Sequence, residues 1–278
     1  MSLKTALLNV PTITGDIAAN TERTIEYFRT SADNGARLVL STELALTGYA
    51  RSEFENLAEE ADGEHVTRLA QECERLGITG GFGFVLRRGG DIHNCYALAG
   101  GGKLRMFGKF HRWWYGDRDF TPWREVELFE LCGLKIGVMV CFDGRYPEIS
   151  RAIALSGADV IIWPSNWPCA PKSNPEYLDI IGRARSFENQ LYVALANRVG
   201  ESEREETAYA GMSTLFGPKG EIVARVGEAE EILYCELDGK EVEQTRQKFD
   251  VYSERSPELY GKYLSKKAPD WYTDGGTR

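Results

Sequence analysis

The stretch Leu134-Lys-Ile-Gly-Val-Met-Val-Cys141-Phe-Asp-Gly-Arg145-Tyr-Pro147-Glu148 decides how the rest of the chain is read. A mostly apolar run, broken by a single lysine, leads straight into Cys141 and fits a buried strand. A short Asp–Gly turn follows, and Pro147 opens a helical pattern to Ser156, as proline does in a first helical turn. Strand, sharp turn and helix are the working piece of an α/β fold. An elbow of this kind exposes the side chain at its apex and leaves backbone N–H groups behind it to meet an oxyanion. Taken alone, the segment has two readings: a nucleophilic thiol, or a structural cysteine at a strand end.

On both sides the pattern alternates in the same way. Upstream, Lys4–Val10 and Ala36–Ser41 read as strands around a helical Ile17–Asn34 that closes at Asn34-Gly35. Glu55–Leu76 holds helical stretches, Ile78–Arg87 a strand, and His93–Ala99 with Lys103–Phe110 a hairpin around Gly100-Gly101-Gly102. Downstream come strand Val160–Pro164, helix Tyr177–Asn189 and strand Leu191–Asn197. A hairpin of Met212–Phe216 and Glu221–Arg225, strand Ile232–Leu237 and helix Gly239–Lys248 complete the pattern. Mixed βα units and hairpins predict an α/β sandwich with mixed sheets. No linker or repeat interrupts the chain. The expectation is one domain over residues 1–278, with a polar C-terminal tail from about residue 250 that drapes over a surface or reaches a partner subunit.

The chain has 278 residues, enough to bury a substantial core without staples. Its formal net charge of −9 argues against nucleic acid or an anionic membrane as a partner. No apolar run reaches the roughly 18 residues a membrane span needs, and the start shows no signal-peptide pattern. Six cysteines lie without paired spacing and only three histidines are present. That composition speaks against disulfides or a zinc site and for a reducing cytoplasm.

A thiol nucleophile needs a proton acceptor, and histidine is the usual one. His65 and His93 fall in polar stretches and read as solvated. His111 sits two residues after Lys109 in an aromatic loop, so a Cys141–His111 hydrolase is one possibility.

Three segments together resemble the nitrilase superfamily of carbon–nitrogen hydrolases. Leu38-Val-Leu-Ser-Thr-Glu43-Leu-Ala-Leu-Thr-Gly48-Tyr49 is similar to its strand followed by a PE or TE and a GY. Phe107-Gly-Lys109-Phe-His111 resembles its Y-x-K-x-H segment, and Cys141-Phe-Asp143-Gly-Arg145-Tyr-Pro147-Glu148 its cysteine elbow. Further matches appear in order: Asp16–Asn20, Arg183–Asn189 with Leu191–Gly200, and Gly211–Ser213 with Gly217–Glu221. The likeness covers about residues 4 to 240.

The resemblance implies a four-layer α-β-β-α sandwich with two mixed sheets, pairing into a homodimer or higher homo-oligomer. Helix Tyr177–Asn189, with Ile180 and Ile181 among charges, is the candidate pairing surface. It implies Cys141 as nucleophile, Glu43 as general base, and Lys109 with the Phe142 backbone N–H as the oxyanion site. No metal or organic cofactor is called for. His111 becomes a scaffold residue, and Asp143 with Arg145 an ion pair that holds the elbow.

One departure stands out. The family's second glutamate aligns with Gly116, so Asp117 is the candidate auxiliary acid in a shifted register, and Trp123 replaces a glycine. Trp113, Tyr115, Asn166 and Trp167 are the candidate pocket wall, with Trp114 beside them. An aromatic, acidic pocket would suit a small aliphatic or ω-amino primary amide. An N-carbamoyl amine or a nitrile as substrate, and a non-catalytic interaction module, are the alternatives.

Overall fold

A computed structural model describes residues 2–266. In chain order the first half is β1 (Ser2–Asn9), α1 (Ile17–Asp33), β2 (Leu38–Leu40), α2 (Phe54–Leu57), α3 (Glu64–Leu76), β3 (Thr79–Arg88), β4 (Asp91–Gly100) and β5 (Lys103–Gly108). Then come β6 (Phe129–Leu131), β7 (Leu134–Val138), α4 (Pro147–Leu155), β8 (Val160–Ser165), α5 (Glu176–Asn189) and β9 (Tyr192–Asn197). The remainder is β10 (Val199–Ser202), β11 (Thr207–Ala210), β12 (Thr214–Phe216), β13 (Ile222–Arg225), β14 (Glu231–Asp238), α6 (Gly239–Lys248) and α7 (Pro257–Leu264). No helix among the described residues is long and apolar enough to cross a membrane.

Two six-stranded sheets run β14-β1-β2-β3-β4-β5 and β13-β12-β9-β8-β7-β6, and β10–β11 form a separate ribbon. In each sheet three neighbouring strands are parallel, β1-β2-β3 and β7-β8-β9, and the outer pairs are antiparallel. Side-chain alternation along each strand explains the layers. From the first sheet, Leu3, Leu7, Leu38, Leu40, Tyr96 and Leu98 join a core with residues of the second sheet such as Ile136, Val160 and Val193. Their neighbours Ala6, Leu8, Val39, Cys95 and Ala97 point the other way, onto Ile25 and Phe28 of α1 and Val66 and Leu69 of α3. On the far side Ile153 of α4 and Leu178 and Ile181 of α5 close over the second sheet. The order of layers is α-β-β-α, as expected.

Several elements differ from the sequence reading. The stretch after residue 250 contains helix α7, and the rest of the expected tail, residues 267–278, lies outside the described residues. The ribbon β10–β11 and the short β6 were not foreseen. His93 is buried in β4, its Nδ1 at 2.7 Å from the Thr121 carbonyl and its ring edge-on to Trp123, rather than solvated. On α5, Ile180 is 64% exposed, but Ile181 is a core residue, so only one of the two presents itself outward.

The first sheet carries a steric requirement that bears on the site. A Cβ on Gly83 of β3 would stand 2.3 Å from the Leu44 nitrogen and 2.6 Å from the Thr42 carbonyl oxygen, backbone atoms that flank Glu43. Only glycine lets that loop cross the strand so closely. Gly83→Ala is expected to cost about 1–3 kcal/mol of stability. It is also expected to lower activity by roughly 10²-fold through displacement of Glu43. Thermal unfolding together with initial rates checks both; an unchanged rate would mean the loop does not need this close approach.

Candidate active site

The residues singled out in the sequence sit just past the ends of strands. Glu43 follows β2, Lys109 follows β5, Cys141 follows β7 by three residues, and Asn166 follows β8. In parallel α/β sheets the carboxyl ends of strands are where ligand sites form. The facing of the two sheets brings these four together.

The elbow is held under strain. Cys141 has φ +46°, in the left-handed region that few non-glycine residues occupy, and a 3-10 turn runs from it to Arg145. Its carbonyl accepts from Trp163 Nε1 at 2.8 Å. The Asp143 carboxylate accepts from the N–H of Val140 (3.0 Å), Phe110 (3.2 Å) and His111 (2.8 Å), and lies 3.0 Å from His111 Nδ1. This staples the Lys109 loop to the elbow. The expected Asp143–Arg145 ion pair is not formed. Arg145 instead lies over the rings of Tyr177 (4.8 Å) and Trp167 (5.3 Å). Backbone donors satisfy Asp143, which leaves the guanidinium free to lie on aromatic faces.

Behind the thiol lies a buried charge network. Glu43 Oε1 accepts from Lys109 Nζ (2.7 Å), Asn94 Nδ2 (2.9 Å) and the Tyr49 hydroxyl (2.9 Å). Its other oxygen, Oε2, accepts from the Asn166 backbone N–H at 3.0 Å. Lys109 Nζ is also 2.8 Å from Asp117 Oδ2. Asp117 is fully buried and accepts from the Trp113 N–H at 2.7 Å. The register question thus has a steric answer. A Cβ on Gly116 would come within 2.8 Å of the Trp113 ring and 3.0 Å of Tyr49, so no side chain fits there. The tight turn from Trp113, closed by Gly116 N–H and Asp117 N–H on the Trp113 carbonyl, delivers the next residue to Lys109.

Burial and neighbouring charge set the protonation pattern. Burial first, then the Glu43 charge, pushes the Cys141 thiol well above the ordinary thiol range, against the pull of Lys109. At rest Cys141 is therefore a thiol, under the influence of the Glu43 carboxylate. Burial works against the Lys109 ammonium, but Asp117 and Glu43 more than offset this and hold it well above the usual lysine range. Burial and Glu43 raise the Asp117 carboxyl, with Lys109 opposing.

A cleft of about 510 Å³ opens onto Cys141. Trp113, Tyr115, Asn166 and Trp167 line it as expected from the sequence, with Phe142, Trp114, Arg145 and Lys172. Trp114 is 57% exposed and Tyr115 44%, so these two form a rim rather than core packing. The acidic wall anticipated from the sequence is not there: the charged side chains lining the cleft are Arg145 and Lys172. Lys172 ties the cleft to the ribbon loop by donating to the carbonyls of Glu205 (3.1 Å) and Glu206 (2.8 Å).

None of the three histidines joins the thiol network. His111 is committed to Asp143 and stacks on Tyr146 at 3.6 Å, and His65 pairs with Glu59. Tyr49 and Asn94 were not singled out from the sequence. Tyr49 had a signal in its Gly48-Tyr49 pair, whereas Asn94 sits mid-strand with none.

The carbon–nitrogen hydrolase family model matches residues 4–247. A Pseudomonas protegens protein named "Hydrolase in pqqF 5'region" is 33% identical, covering 96% of this chain and 93% of its own. The human omega-amidase NIT2 is 26% identical over 89% of this chain and 93% of its own. Among solved structures, Saccharomyces cerevisiae Nit3, described as a member of branch 10 of the nitrilase superfamily, superposes with a TM-score of 0.81. It is 26% identical, and the match covers 91% of this chain and 96% of that one.

Proposed function

The chain belongs to the carbon–nitrogen hydrolase family, within the nitrilase superfamily, and is an enzyme of non-peptide carbon–nitrogen bonds; from that premise we propose that its substrate is a small aliphatic primary amide, cleaved through a thioester on Cys141. The observation that carries this reading is a buried thiol, kept protonated under the charge of the Glu43 carboxylate, one oxygen of which is already taken up by three donors.

Cys141 Sγ attacks the amide carbon while Glu43 takes the thiol proton. The carbonyl oxygen becomes an oxyanion, stabilised by Lys109 and the Phe142 backbone N–H; one such donor is worth roughly 3–4 kcal/mol. Glu43 hands its proton to the nitrogen, the C–N bond breaks, and ammonia leaves with a neutral rather than an anionic nitrogen. Glu43 then takes a proton from water, whose oxygen attacks the thioester. The carboxylate product departs and the thiol is restored. Asp117 keeps Lys109 charged and aimed throughout.

Arg145 and Lys172 in the cleft favour an apolar tail over an ω-amino one, since a cationic tail would meet like charge. The same reading includes a homodimer or larger homo-oligomer across the outer side of α5, where Tyr177, Ile180 and Phe187 are exposed, and a cytoplasmic home for the free cysteines.

Ammonia release over aliphatic amides, ω-amino amides, N-carbamoyl amines and nitriles tests the proposal. The expected result is turnover of acetamide-to-valeramide-sized amides at least about tenfold faster than of ω-amino amides of equal length, on the scale of one unfavourable charge contact. Carbon dioxide released with the ammonia, or preferred consumption of nitriles, would place the enzyme in another branch. No ammonia from any of them would contradict the proposal.

A further inference from the structure

We infer that the Tyr49 hydroxyl is a positioning residue for the reaction: it holds Glu43 Oε1 so that Oε2 alone serves as the proton-accepting oxygen. The inference rests on Glu43 acting as the base. The two oxygens of that carboxylate have unequal surroundings. Oε1 meets three donors, on Lys109, Asn94 and Tyr49, all within 2.9 Å. Oε2 meets one backbone N–H, that of Asn166, at 3.0 Å. An oxygen with three donors has little lone-pair density left for a fourth proton, whereas Oε2 keeps that capacity. Asn166 lines the same cleft as Cys141, so Oε2 is bonded to a residue that stands at the thiol's side of the site.

Tyr49 is built for this task more than for packing alone. Its side chain reaches the site from a loop in which Leu44 (φ +43°) and Gly48 (φ +58°) take left-handed conformations, and its own backbone N–H is anchored by Glu205 Oε1 at 3.1 Å. Glu205 is in turn paired with Arg198 at 2.9 Å, both almost fully buried. The ring stands edge-on to Phe54 and to Trp113, the latter at 6.0 Å and 82°. With backbone and ring both fixed, the hydroxyl has one place to be. It lies 2.9 Å from Glu43, 3.3 Å from Asp117 and 3.4 Å from Lys109, all of them buried side chains. A phenol carries one proton and two carboxylates compete for it; the shorter contact assigns it to Glu43. Burial, followed by the charges of Asp117 and Glu43, holds that phenol well above its usual range, so it stays a donor throughout the working pH range.

Tyr49→Phe keeps the ring and deletes the hydroxyl. The expected result is a kcat lower by roughly 10- to 100-fold, with KM for a small amide little changed. The acidic limb of the kcat/KM profile moves to higher pH by about one unit, because a carboxylate that loses a donor holds its proton more tightly. A second variant guards against poor folding: 3-fluorotyrosine at position 49 keeps shape and hydroxyl but donates more strongly. It should retain near wild-type kcat and move the same limb to lower pH. A phenylalanine variant with unchanged kcat and unchanged acidic limb, or with a change in KM alone, would overturn the inference, as would a fluorotyrosine enzyme with an unmoved limb. Glu43→Gln and Cys141→Ala, measured alongside, keep the two ideas apart: full activity in those variants would contradict the site assignment itself.

Discussion

Cys141→Ala is expected to lower kcat/KM by roughly 10⁴- to 10⁶-fold, the range seen when the nucleophile of a cooperating set is removed. Nothing else in the site can take over. The other buried thiols, Cys73, Cys95 and Cys235, are pushed up to about 12 by burial and sit in helix or strand interiors. Cys169 lies beside the cleft-lining Pro168, but its N–H is tied to Ala208 in the ribbon rather than to the elbow. Alanine removes only the sulfur, and the strained turn is retained by the Asp143 staple and the Trp163–Cys141 bond. The folded variant should still bind substrate, so KM-level binding by calorimetry with the inactive enzyme is the matching control.

Glu43→Gln is expected to cost roughly 10³-fold or more in kcat, since the carboxylate acts in both acylation and deacylation. The amide is isosteric, and Lys109 keeps Asp117 as a partner, so the ammonium is not left buried alone. The substituted amide must nonetheless turn its own N–H groups toward at least one donor that then has nothing to accept it, either Lys109 and its neighbours or the Asn166 N–H. A modest fall in melting temperature should accompany the loss of rate. The sharper readout is thiol chemistry. Burial and the Glu43 charge both hold the Cys141 thiol up, so removing that charge is expected to leave alkylation by iodoacetamide at neutral pH as fast as in the wild type or faster, while turnover is lost. Turnover kept at the wild-type rate would contradict the role of Glu43.

The segments that carry chemistry were legible because each joins a strong local signal to a turn. The apolar run into Cys141 and Pro147 marks strand, elbow and helix without tertiary information. The alternation in β1, β2 and β4 likewise contains both faces of the first sheet. Short elements were less legible. β6 spans only Phe129–Leu131, and β10–β11 is a ribbon of four-residue strands, pairing Val199 with Ala210 to Ser202 with Thr207, too short to carry a period of its own. Charge partners were hardest to read. Asp143 and Arg145 are two residues apart and of opposite sign, yet the carboxylate is consumed by backbone N–H groups from another loop. Likewise, neither the placement of Asp117 on Lys109 nor that of Asn94 on Glu43 follows from spacing. Both depend on how β4, β5 and the turn from Trp113 stack in space.

The most direct test of the Cys141 thioester is acid-quenched mass spectrometry of the enzyme while it turns over an aliphatic amide such as butyramide. The predicted result is an adduct of the acyl mass on the peptide that contains Cys141, one that disappears on exhaustion of substrate and transfers to added hydroxylamine. Product formed at full rate with no acyl adduct, or with the adduct on Cys169, would contradict it.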